Sequence, residues 1–89
     1  MVPVGVVASA EALIARLSAA TEAHDVLRMK GFVALEGKPM RLAVQGVGTR
    51  FRHQFDRPWG TAEQRTGGIV VIGRTGMDRA AIEAIIQGA

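Results

Sequence analysis

Val26-Leu-Arg-Met-Lys-Gly-Phe-Val-Ala-Leu35 is followed by the turn Glu36-Gly-Lys-Pro39 and then by Met40-Arg-Leu-Ala-Val-Gln-Gly-Val47. Both runs alternate with period two, the spacing at which successive side chains of a strand point to opposite sides. In the first run Leu27, Met29, Val33 and Leu35 fall on one face and Arg28, Lys30 and Phe32 on the other. In the second, Met40, Leu42 and Val44 oppose Arg41, Ala43 and Gln45. Two alternating runs joined by turn residues make a hairpin. The middle of the chain is therefore an antiparallel sheet with one apolar face.

Further strands and helices attach on both sides of this hairpin. The turn Gly46-Val-Gly-Thr49 leads into a run in which Phe51, His53 and Phe55 alternate with Arg50, Arg52 and Gln54, a third strand of the same sheet. Upstream, residues 2–7 are rich in valine and read as a strand, with Pro3 confining it to an edge because it lacks an N–H. Ser9 is placed to cap a helix whose stripe is Ala10, Leu13, Ile14, Leu17 and Ala20. Downstream, residues 56–68 read as a loop, and Ile69-Val-Val-Ile72 as a strand that is central or covered on both faces. Residues 78–87 form a second one-sided helix, with Asp78 at its positive end and Ala81, Ile82, Ile85 and Ile86 inward. The expected fold is a two-layer α+β sandwich: a mainly antiparallel sheet of four to five strands with two helices on one face. Its other face is left uncovered.

Eighty-nine residues suffice for one core, so residues 1–89 are read as a single domain. With 48% hydrophobic and 21% charged residues the chain has the balance of a folded globular domain. No cysteine is present, which excludes disulfides, thiolate metal sites and cysteine nucleophiles. No apolar run reaches the roughly 20 residues of a membrane span, and residues 1–8 lack the basic start of a signal peptide. A cytoplasmic location and no membrane partner are expected. Net charge is +3, and Arg28, Lys30, Lys38, Arg41, Arg50 and Arg52 face a single acid, Glu36, between residues 26 and 52. Without an RNA-binding aromatic signature, this basic stretch reads as a face turned to solvent or a protein partner, not to nucleic acid.

Few residues suggest chemistry. Gly67-Gly68 and Gly73-Arg-Thr-Gly76 flank a strand that leads to a helix, but neither G-x-x-x-x-G-K-[ST] nor G-x-G-x-x-G occurs, so an ordinary strand-to-helix turn is expected. His24, Asp25, His53 and Asp56 are the remaining polar candidates. Of these, His53 with Asp56 is the one pair to consider for a metal, and capping or edge roles are favoured over ligation. Asp56-Arg-Pro-Trp-Gly60 holds the one tryptophan, Trp59, which either anchors a partner or folds back as a lid on the sheet.

Residues 24–42, with Val44-Gln-Gly-Val47, Asp56-Arg-Pro-Trp-Gly60 and Ile69-Val-Val-Ile-Gly73, resemble the C-terminal domain of CobW proteins, from about Ser9 to the end. His24-Asp-Val-Leu-Arg28 and Gly37-Lys-Pro-Met-Arg41 are similar to CobW proper more than to its zinc and nitrile-hydratase relatives. In that family a P-loop GTPase domain with a Cys-x-Cys-Cys metal motif precedes this one, and the whole is regarded as a GTP-dependent metallochaperone. The resemblance implies a process, cobalamin biosynthesis, and transfers no nucleotide or metal ligand onto this chain. A start at Met1 inside the family's first strand points to a piece of a longer protein.

A non-enzymatic interaction domain is thus expected, without a cofactor of its own. Its partners would be the parent's GTPase domain, a second copy, or the cobaltochelatase machinery. The expected surface is the helix-free face: Arg28, Lys30, Phe32, Arg41, Gln45, Arg50 and Arg52, with Trp59 at its border. The alternative is a stand-alone small-molecule or metal-binding module using that face with His53 and Asp56.

Overall fold

The computed structural model describes residues 1–88. In chain order it contains β1 (Val2–Val4), α1 (Ala10–His24), β2 (Arg28–Ala34), β3 (Met40–Val47), β4 (Arg50–Pro58), β5 (Gly67–Ile72) and α2 (Arg79–Gln87). The five strands form one sheet in the order β1-β5-β2-β3-β4, every neighbouring pair antiparallel. β1 and β2 consequently run parallel with β5 slotted between them, a split β-α-β unit crossed over by α1.

Local chemistry explains the helix ends. Ser9 Oγ accepts from the Ala12 N–H at 3.1 Å and Asp78 Oδ1 from the Ala81 N–H at 3.1 Å, each satisfying an amide that the first turn leaves unpaired. α1 stops where Asp25 turns left-handed (φ 51°), and α2 where Gly88 does the same (φ 76°). Both helices send their stripes to one side of the sheet. Leu13 and Leu17 of α1 and Ile82 and Ile86 of α2 close over Val33, Leu42, Val44 and Ile69, all fully buried.

Three details depart from the sequence reading. First, Val26 is buried and Leu27 is exposed, the reverse of the expected parity. The left-handed residue Asp25 ends α1 immediately upstream, so the helix exit, not strand alternation, sets the side on which Val26 lies. Secondly, residues 2–7 are not one strand: β1 ends at Val4, and Val7 forms an isolated parallel bridge to Leu35.

Thirdly, the expected loop is shorter at both ends. β4 continues through Asp56, Arg57 and Pro58, with a bulge where Arg41 pairs with Arg57 but Leu42 with Phe55, leaving Asp56 as the extra residue. Proline is tolerated because β4 is an edge strand.

Of the two settings expected for β5, the central one holds: the strand lies inside the sheet and is covered on one side only. Ile69 is fully buried, whereas Val70 and Ile72 are 45% and 52% exposed on the side away from the helices. That side is partly roofed at its other end. Residues 59–66 fold across it, with Trp59 N–H donating to Pro39 O (3.0 Å) and Arg65 to Lys38 O (3.3 Å), and Ala34 there is buried.

A candidate partner-binding face on the sheet

Directly paired residues of neighbouring strands share a face, so the registers map the helix-free side row by row. Ile72, Arg28, Val47 and Arg50 form one row across β5, β2, β3 and β4. Val70, Lys30, Gln45 and Arg52 form the next, and Gly68, Phe32, Ala43 and Gln54 the third. Arg41 belongs to the fourth, beside Ala34. The structure therefore places Arg28, Lys30, Phe32, Arg41, Gln45, Arg50 and Arg52 on one surface. Arg28, Lys30, Gln45, Val47, Val70 and Ile72 line a shallow open depression in it.

The face has two electrostatic zones. At the loop-covered end the cations are matched. Arg41 Nε donates to Asp56 Oδ1 at 3.0 Å and Nη2 donates to Oδ2, while the guanidinium lies 3.6 Å from the Phe32 ring centroid. This hydrogen-bonded pairing raises the Arg41 pKa above its ordinary value and holds the Asp56 carboxyl below its own. Arg57 donates twice to Glu63, and Glu63 Oε1 also accepts from the Gly60 N–H at 2.8 Å. The Arg57 hydrogen bonds, then the Gly60 amide, take the Glu63 pKa down to about 2.

At the open end the cations are unmatched. Among the described residues the salt bridges are Arg41 with Asp56 and Arg57 with Glu63, and neither reaches Arg28, Lys30, Arg50 or Arg52. These four stand among exposed Val47, Val70 and Ile72.

The structure gives Trp59, Arg41, His53 and Asp56 distinct surroundings. Trp59 is a lid: it is 8% exposed, and its indole Nε1 is buried without a hydrogen-bond partner. Arg41 is neutralised by Asp56 and stacked on Phe32. His53 pairs across from buried Val44 and so faces the helix side, whereas Asp56 is bound to Arg41 over Phe32 on the opposite side. The strand thus keeps His53 and Asp56 apart, and among the described residues no group of three or more His, Cys, Asp or Glu is arranged to hold a metal. His24 and Asp25 sit at the end of α1, as expected of capping residues, and Gly73 to Gly76 form the turn between β5 and α2. Sequence reasoning missed Val70 and Ile72. The available signal was the helix count, since two helices on one face leave nothing to cover the other side of β5.

Comparison with known proteins agrees with this architecture. The family described as "Cobalamin synthesis protein cobW C-terminal domain" matches residues 5–89. A protein named zinc chaperone CobW from Sinorhizobium sp is 48% identical over 97% of this chain, and one of the same name from Pseudomonas aeruginosa is 55% identical over 80%. The chain spans 24% and 19% of those two relatives' lengths. Among solved structures, the Zn(II)-bound YjiA GTPase from E. coli superposes with TM-score 0.70, and a Zn(II)-bound triple mutant of YjiA GTPase with 0.71. Each is 27% identical, covering 94% of this chain and 26% of the other. A match along nearly the whole length, close relatives and a shared fold point the same way: the chain belongs to the family of CobW C-terminal domains.

Proposed function

We propose that this domain is a non-catalytic docking module of a CobW-type, GTP-dependent metallochaperone, and that its helix-free sheet face binds the GTPase domain of the parent protein. The observation that carries the reading is the open end of the face, where Arg28, Lys30, Arg50 and Arg52 have no acidic partner among the described residues and Val70 and Ile72 are bare. Exposed apolar strips of this kind mark contact sites, and unpaired cations around them favour an acidic partner and set its orientation. Covering the face would bury on the order of 800 Å² per partner, the size of a specific contact.

The relatives' names speak of a zinc chaperone, and the family description of cobalamin synthesis; in this reading the parent handles a metal in the cytoplasm for that biosynthesis. The chain would supply neither metal ligand nor nucleotide site. No described helix is long and apolar enough to cross a membrane, which is compatible with that location.

Calorimetric titration of this chain against the separately produced GTPase domain of its parent tests the proposal. Binding should weaken at least tenfold in Ile72→Glu and in Arg28→Glu, with circular dichroism unchanged. Absence of binding by the wild type, or equal affinity in both variants, would reject the face. Micromolar binding of Co²⁺ or Zn²⁺ to the chain alone would instead favour a metal-binding module.

A further inference from the structure

The two edges of the sheet are unequal. β1 has three residues, one of them Pro3, and the Pro3 carbonyl already accepts from Gln87 Nε2 of α2 at 2.8 Å. This edge is short and latched. β4 has nine residues, pairs with β3 on one side, and has no strand on its outer side among the described residues. Its bulge and its proline, devices that usually guard an edge, both lie at the end of the strand, at Asp56 and Pro58. Residues 50–55 are regular, without bulge or proline, a stretch of about 20 Å at the usual rise per residue.

The side chains of this stretch alternate in character. Arg50, Arg52 and Gln54 lie on the helix-free side, and Phe51, His53 and Phe55 on the helix side. The helices stop short of β4. Phe51 reaches the core, but Phe55 is 44% exposed and shares an open groove of about 300 Å³ with Leu35, Leu42, Ala10 and His53.

We propose that β4 is a β-augmentation site that captures an extended segment of a second protein, a segment alternating acidic and apolar residues. Main-chain pairing along residues 50–55 would supply affinity, and the alternation would supply selectivity. Acids would stand opposite Arg50 and Arg52, and apolar side chains opposite Phe51 and Phe55, entering the groove. A second copy of this chain fits poorly, because self-pairing brings two pairs of unmatched arginines onto one side of a continuous sheet, and like charges across strands repel. The proposal goes beyond the docking face: Arg50 and Arg52 border both, but a partner lying flat on Ile72 and Arg28 leaves accessible the main-chain rim of β4 and the helix-side Phe51 and Phe55. For that reason the occupant is assigned to a protein other than the parent.

A capped heptapeptide of alternating glutamate and valine, titrated into ¹⁵N-labelled chain, tests the assignment. The expected result is saturable shifts confined to residues 50–55 and their β3 partners, weakened at least fivefold by 0.5 M salt and at least tenfold in the Phe55→Lys variant. Arg28→Glu, on the flat face, should bind the peptide as the wild type does. Equal binding by a peptide of the same composition in two blocks, or by one N-methylated at alternate residues, would overturn the proposal. So would light scattering that shows the chain dimerising by itself through β4, with the dimer lost in Phe55→Lys.

Discussion

The Arg41 guanidinium lies 3.6 Å from the centroid of the Phe32 ring and is held there by two hydrogen bonds to Asp56. One arginine thus joins the ring on β2 to the bulge of β4. Both contacts are partly exposed and screened by solvent, so each is weak. Arg41→Ala should therefore lower the urea midpoint by a small, measurable amount and leave the fold intact.

Leu42, the next residue, behaves differently. It is fully buried between the sheet and the helices. Leu42→Asp would place an unpaired charge in the core at a cost of several kcal/mol, comparable with the whole stability of a small domain. Its circular dichroism should be that of an unfolded chain, whereas Arg41→Asp should retain helix and strand signals. Equal loss in both would show the β3 register to be wrong.

Gly31 is required by a close approach of two backbones. A Cβ there would collide with the carbonyl of Gly68 on β5, an atom that cannot rotate away. Gly31→Ala should force β2 and β5 apart and destabilise by roughly 1–3 kcal/mol or more. A thermal midpoint within a degree of wild type would contradict the packing of this pair.

Acid should open the lid. The folded-state pKa of Glu63 is depressed to about 2 from 4.5 by Arg57 and the Gly60 amide, and that of Asp56 is also lowered by Arg41. A depressed carboxyl stabilises the fold above its unfolded pKa and loses that contribution as pH falls through the folded value. The window therefore runs from about 4.5 down to about 2. Trp59, the one tryptophan and buried, reports the event. Its emission should be constant from neutral pH to about 5 and shift to the red below 4.5; in Glu63→Gln it should be shifted already at neutral pH. Wild-type emission that shifts above pH 5 would remove Glu63 from the account.

The chain alone should not hydrolyse GTP. Phosphoryl transfer needs a phosphate cradle and a held Mg²⁺, and no Gly-Lys-Ser or Gly-Lys-Thr occurs in the 89 residues. Turnover that survives purification and is lost in Arg74→Ala would refute this.

The hairpin and the helix caps were legible because single residues decide them. Met29, Val33, Leu42 and Val44 alternate without a break, and Ser9 and Asp78 precede clear stripes. The same alternation placed Arg28, Lys30, Gln45, Arg50 and Arg52 together. Val70 and Ile72 were not legible, because four apolar residues in a row carry no information about face. Nor was the neutralisation of Arg41. Asp56 is 15 residues away and read as the start of a loop, whereas β4 runs on through it and sets its carboxylate beside Arg41.

The position of β5 between β1 and β2 also orders the assembly of the domain during synthesis. The β2-β3-β4 meander can close as soon as it is made, through short turns of low entropic cost. β1 has no such option, because its register partners, Gly67 to Ile69, are translated long after it. The first strand of the domain to be translated is thus among the last to be hydrogen-bonded. Until β5 enters the slot, Val2, Val4 and the inner stripe of α1 have only part of their final cover, which makes this nascent stage the one most exposed to chaperones and to aggregation.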